Sequence, residues 1–136
     1  MSDNVLFGST IGLLEQSLNL RARNHEMLTS NIANAETPGY ASQHLQFEEQ
    51  LRAAFDPEAQ KMEATHEDHF GFVDDINQVD GEVISDPGKA VSDNGVRMEQ
   101  EMARLSENQI KYETAARILS RKFASLEYVI QEASKS

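Results

Sequence analysis

The residues that come nearest to a reactive or metal-binding constellation in this chain are His66, Glu67, Asp68 and His69. A zinc site on a helix needs two histidines four positions apart on one face, with a third ligand converging on them. Here the spacing is three, and the run lies in an acidic, turn-rich stretch. Solvated polar side chains are the expected outcome, with a divalent cation as an adventitious contact at most. A metal-dependent hydrolase using His66 and His69 is the weakest of the readings. His25 falls at a polar break in an apolar helical stripe, where a packed or partly exposed histidine is commoner than a titrating switch. Carboxylates are so plentiful, 23 in all, that pairs arise by chance, and no pattern places two of them in an apolar pocket for acid–base work. Cysteine, a Gly-rich phosphate loop and a nucleophile elbow are all missing,. The expectation is a non-enzyme with no catalytic residue, metal ligand, cofactor or small-molecule substrate.

Composition narrows the partners. A formal net charge of -11 repels phosphate backbones and anionic membrane surfaces, which argues against nucleic acid as a partner,. No apolar run approaches the ~20 residues that span a bilayer, and the N-terminus lacks the basic start and apolar stretch of a secretory signal. Any export is therefore expected to proceed without a cleaved signal peptide. With 39% hydrophobic residues and a mean hydropathy of -0.55, 136 residues make one domain with a small core or one completed by partners,.

Two elements organise the chain. Phe7, Ile11, Leu14, Leu18, Leu28, Ile32 and Ala35 step by four and three, with Arg21 and His25 at the intervening seam positions, predicting a helix from about Val5 to Ala35,. Leu6, Leu13, Leu20 and Met27 form a second stripe about 100° away on the same helix,. One partner helix cannot cover both, so either the core face is wide or the helix packs against several neighbours. Thr37-Pro38-Gly39-Tyr40 must end it, because Pro disfavours helical geometry in the residue before it and Pro-Gly suits the centre of a type II turn. Leu45, Phe47, Leu51 and Phe55 suggest a short amphipathic helix or extended stretch from His44 to Phe55.

Residues 56–95 hold eleven Asp or Glu against Lys61 and Lys89 and read as a loop, in which Val79, Val83 and Ile84 could at most make a short hairpin,. After Gly95 there is neither proline nor glycine. Met98, Met102, Leu105, Gln109, Tyr112, Ala116, Leu119, Phe123, Leu126, Ile130 and Ala133 alternate steps of four and three, predicting one helix over about 96–133 with a coiled-coil seam,. The expected fold is all-α: long N- and C-terminal amphipathic helices packed as an antiparallel coiled-coil-like pair, with an irregular acidic middle. Residues 1–37 form the first helix, 38–95 the turn, short segment and loop, and 96–136 the second helix. Such a pair buries little area, so its exposed stripes imply self-association or partners. Leu6, Leu13, Leu20, Met27, Met102, Leu105, Tyr112, Leu119, Phe123, Leu126 and Ile130 are the candidate assembly residues.

The ten residues Asn31-Ile32-Ala33-Asn34-Ala35-Glu36-Thr37-Pro38-Gly39-Tyr40, following Leu18-Asn19-Leu20-Arg21-Ala22-Arg23, resemble the N-terminal signature of bacterial flagellar axial proteins, the rod and hook family. Val96-Arg97-Met98-Glu99-Gln100-Glu101 and Asn108-Gln109-Ile110-Lys111-Tyr112 extend the likeness to the other end, and it lapses in the acidic middle. Ser92-Asp93 and Arg97 depart from the family pattern. Within the family the proximal rod subunits are the nearest in pattern. The resemblance implies a structural subunit of the proximal rod of the basal body, on the periplasmic side, exported by the flagellar type III apparatus and polymerised for motility. It implies as partners further copies, other rod subunits, and basal-body adaptor and export-gate proteins. Phe47 and Leu51 resemble the aromatic-x-x-x-aliphatic segment recognised at the export gate. The competing reading is a soluble coiled-coil adaptor, or another proximal rod subunit.

Overall fold

The computed structural model of the chain describes residues 2–55, 79–86 and 94–135. In chain order its elements are α1 (Ser2–Ala33), β1 (Ser42–Gln46), α2 (Glu48–Phe55), β2 (Glu82–Asp86) and α3 (Asn94–Ala133). The protein is mostly helical. At 1.5 Å per residue, the 32 residues of α1 and 40 of α3 make rods of about 48 and 60 Å,. They lie side by side and run in opposite directions, since Asn31 meets Glu101 and Asn24 meets Asn108.

A small antiparallel sheet departs from the all-α expectation. β1 pairs with β2 in a register running from Ser42 opposite Asp86 to Gln46 opposite Glu82. The stretch expected to be a short helix or an extended segment is both, a strand and then α2. The acidic middle is correspondingly less irregular than predicted, because its residues 82–86 form β2. Neither strand alternates cleanly between buried and exposed positions. β2 is held by pairing more than by burial, so period-2 hydropathy could not announce it.

The core lies where α1 meets this sheet and α2. Leu20, Leu45, Phe47, Leu51 and Val79 form one buried cluster, with Met27 and Ala54 against it. Val79 is drawn in from the acidic middle. The Gln16 side chain donates to the Val79 carbonyl at 2.8 Å and Arg23 to the Asp80 carbonyl at 3.4 Å, tying that segment to α1. The chain then turns at Gly81, whose φ of 70° is left-handed. A Cβ there would stand 2.9 Å from Leu45 Cγ, so only glycine allows the close approach,.

The second stripe of α1 is thus covered by its own chain at Leu20 and Met27. On α3 the packed face is rotated from the predicted seam. Glu101, Asn108 and Ala115, seven apart, are buried, whereas Met102, Phe123 and Ile130 of the predicted seam are exposed. Apolar periodicity missed this because the residues chosen for the interior include polar ones.

Candidate functional site

The signature segment closes α1. The Asn34 amide donates to the Ser30 carbonyl and its side chain donates to the same oxygen at 2.9 Å, while the Thr37 amide returns to the Asn34 carbonyl. The Tyr40 amide then donates to the Thr37 carbonyl across Pro38-Gly39, with Gly39 at φ 76°. Those features are the ones a type II turn requires, with glycine at its third position. Ile32 is half-buried and Ala33 is the last residue of the helix.

Asn31 gathers this turn into the rest of the molecule. Its Nδ2 donates to the Gln43 carbonyl at 2.7 Å and to Glu101 Oε2 at 2.8 Å. Its Oδ1 accepts from the Gln43 amide at 3.0 Å and from the Tyr40 hydroxyl at 3.3 Å. A buried carboxamide can make at most about four such bonds, and this one makes all of them. Glu101 is itself buried and receives Arg104 at 3.0 Å; Arg97 donates to Ser42 Oγ at 3.0 Å. An open recess lies between the turn and α3, walled by Asn34, Thr37, Tyr40, Arg97 and Met98.

A second polar group lies along the α1–α3 groove. The Arg21 guanidinium, buried, forms two hydrogen bonds to Glu48 at 2.9 and 3.3 Å and stands 5.3 Å from the centre of the Phe47 ring. Lys111 reaches the same Glu48 at 3.1 Å and Glu107 at 2.7 Å. Partial burial opposes ionisation of Glu48, but its hydrogen bonds and charge attraction to Arg21 and Lys111 outweigh that and hold its pKa below the usual value,. The Lys111 pKa is raised, chiefly by its hydrogen bond to Glu107, with Glu48 adding to it against a desolvation cost.

The sequence-predicted sites fall into three sets. Asn31, Asn34, Thr37, Pro38, Gly39 and Tyr40 come together in one turn. Phe47, only 2% exposed, and Leu51 lie in the core rather than on the surface. Among the assembly candidates, Leu13 and Leu20 are buried, and Met27, Leu105, Leu119 and Leu126 are half-buried. Met102 (53% exposed), Tyr112, Phe123 (52%) and Ile130 (67%) are open to solvent. The side chain of Leu6 and the whole His66–His69 run lie outside the described residues. His25 is exposed. Among the described residues no group of three or more acidic or histidine side chains is placed to hold a metal ion, and no helix is long and apolar enough to cross a membrane. Sequence reasoning missed Asn24 and Glu48, and met Glu101, Asn108 and Lys111 only as members of the C-terminal stretches that resemble the family, without assigning them a contact. The polar face they form on α3 is offset by one residue from the apolar one.

Comparison with known proteins follows the same lines. A family model described as "Flagella basal body rod protein" matches residues 14–40, the span from the groove of α1 through the signature turn. The chain is 32% identical over 127 residues to flagellar basal body rod protein FlgB of Bacillus subtilis (strain 168), covering 92% of this chain and 95% of that one. It is 28% identical over 125 residues to the protein of that name from Aeromonas hydrophila, covering 90% and 92%. To that of Salmonella typhimurium it is 25% identical over 130 residues, covering 86% and 89%.

Proposed function

The chain belongs to the family of flagellar basal body rod proteins FlgB, and from that premise we propose how its folded parts serve the rod. It is a structural subunit of the proximal rod, and its contribution to motility follows from the family. What supports a specific assembly surface is the row of large apolar side chains left in solvent along α3: Met102, Tyr112, Phe123 and Ile130. Covering a side chain of this kind is worth roughly 1.5–3 kcal/mol. A row of them on one helix marks a surface awaiting neighbours. The neighbours are further copies of the chain and other rod subunits. Leu20 and Met27, by contrast, serve the subunit's own core. The two long helices, sheet and α2 fold as one domain.

Passage to the rod runs through the flagellar type III apparatus without a cleaved signal, and assembly occurs on the periplasmic side against export-gate and adaptor proteins. Phe47 and Leu51 are the segment read at the gate. Because both are buried in the folded subunit, the gate reads them before folding is complete.

Two substitutions at exposed positions test the assembly surface. Phe123→Asp and Ile130→Asp are expected to leave the far-ultraviolet circular dichroism of the free subunit unchanged, while abolishing its recovery in purified hook–basal bodies and stopping motility. Normal incorporation of both variants would refute the surface. A fully motile strain lacking the gene would refute the rod assignment itself.

A further inference from the structure

Two asparagines seven apart on α1 face two polar residues seven apart on α3 and two alternate residues of β1. In the first rung Glu101 Oε2 accepts from Asn31 Nδ2, while the Asn31 carboxamide pairs with both the amide and the carbonyl of Gln43. In the second, Asn108 and Asn24 join side chain to side chain at 3.4 Å, and Asn24 Oδ1 accepts the Leu45 amide at 3.0 Å. Asn108 also donates to the Arg21 carbonyl at 2.9 Å. We propose that Asn24 and Asn31 are positioning residues, their carboxamides standing in for a further strand along β1 and, through Asn108 and Glu101, setting the register of α3 against α1.

The geometry of a strand carries the first half. Backbone groups of successive residues point to opposite sides, so Gln43 and Leu45 turn toward α1 while Ser42, His44 and Gln46 turn toward β2. Without the two asparagines, that edge of β1 would face a helix, whose own backbone groups are already bonded to one another. A carboxamide has the donor and acceptor of a peptide unit, and Asn31 uses both on Gln43.

Periodicity carries the second half. Apolar positions on both helices repeat every seven residues, so a slip of one heptad would still bury apolar side chains. The polar rungs do not tolerate it. Such a slip sets Asn24 opposite Ala115 and carries Glu101 past the end of α1, leaving a buried carboxylate without its partner. Single polar residues at seam positions set helix register in this way, at some cost in stability.

Amide hydrogen exchange on the full chain, followed by NMR, tests the first half. Asn31→Ala is expected to speed exchange at Gln43 at least tenfold relative to His44, and Asn24→Ala to do so at Leu45. The charged variant gives a readout that loss of packing would not. The groups facing position 31 are Glu101, Arg104 and Arg97 from α3 and Tyr40 from the turn; Asp86 of β2 lies 4.0 Å from Arg104 Nη1, and His44 of β1 lies 3.9 Å from that same Asp86. Asn31→Asp sets a second carboxylate against Glu101, so the variant should be less stable at pH 7 and regain stability as acid protonates one of the two. Adding Glu101→Gln should restore stability at pH 7. Protection at Gln43 and Leu45 unchanged in the alanine variants would overturn the strand role. An Asn31→Asp variant with the wild-type pH profile, or one that Glu101→Gln does not rescue, would overturn the register role even if the alanine variants fail to fold.

Discussion

Arg21 shows how much one side chain decides here. Its guanidinium lies over Phe47, meets Glu48 with two bonds and shares that carboxylate with Lys111, so α1, the start of α2 and the middle of α3 are joined at one point. Arg21→Ala should lower stability by about 2–3 kcal/mol in urea titration, because a partly buried two-point charge contact, the packing of a buried side chain and a stacked cation are lost together,. Lys111→Ala should cost below about 1 kcal/mol, since that side chain is exposed and screened,. Arg21→Lys should recover little, because an ammonium cannot supply the planar fork. The pH dependence has a definite sign. Glu48 ionises more readily folded than unfolded, so its contribution is complete above the usual 4.5 and is lost as pH falls through the lower folded value,. Lys111 behaves oppositely, contributing below the usual 10.5 and losing that contribution as pH rises through its raised folded value,. The three-way contact is therefore intact between about pH 5 and 10, and Glu48→Gln should flatten the acid limb of the stability profile. In the sequence, Arg21 was visible as a gap in an apolar stripe and as one member of the stretch 18–23 that resembles the family, not as a contact. Its partners lie 27 positions away at Glu48 and, through that carboxylate, on α3, where no local pattern could reveal them.

At the scale of elements, the long helices were legible because their apolar spacing persists over many turns and their interiors lack proline. The end of α1 was legible too, since Pro38 and Gly39 dictate their own backbone. The direction in which α3 faces was not. Its apolar stripe includes Met102, Phe123 and Ile130, which point to solvent, while Glu101 and Asn108 point inward because Asn31 and Asn24 offer them partners. Hydropathy ranks a residue by its cost of burial alone, and here that cost is offset by specific hydrogen bonds. β2 was legible only as Val83 and Ile84 of a possible short hairpin, for a related reason: its neighbours are acidic, and what holds it is the distant edge of β1. Gly81 is the hinge of that arrangement. Gly81→Ala brings a methyl group within 2.9 Å of Leu45 Cγ and 3.2 Å of Phe47 Cβ at a left-handed φ. The expected loss is about 2–4 kcal/mol, combining overpacking with backbone strain. It should appear in thermal unfolding as a clear drop in Tm with the helical signal of the folded state retained. A variant as stable as the wild type would mean that Leu45 and Phe47 pack differently from this cluster.

For the whole molecule, the distribution of burial along α3 predicts unequal stability. From Met98 to Ala115 the helix carries Glu101, Asn108 and Ala115 into the groove and is tied repeatedly to α1, to Asp86 of β2 and to Glu48. From Ile118 onward, Ile118, Phe123, Tyr128, Val129 and Ile130 are all exposed. A helix segment with few buried contacts opens at lower free energy than one locked into a core, and its amides exchange through those local openings. In the free subunit, amides of residues 118–130 should therefore exchange at least ten times faster than those of 101–115, measured by mass spectrometry after pulsed deuteration. Assembly should reverse this selectively. If the exposed side chains are the ones covered by neighbours in the rod, deuterium uptake in purified hook–basal bodies should fall most at residues 118–130 and change little at 101–115, already protected within the subunit. Uniform slowing along α3 would instead mean that assembly stabilises the subunit globally, and equal uptake before and after would mean that this end of the helix is not an assembly surface. The selective pattern follows from how firmly each exposed side chain's own segment is held: Met102, Ile110 and Tyr112 stand on the part of α3 already locked into the groove, whereas Ile118, Phe123, Tyr128, Val129 and Ile130 stand on the part its own chain holds least.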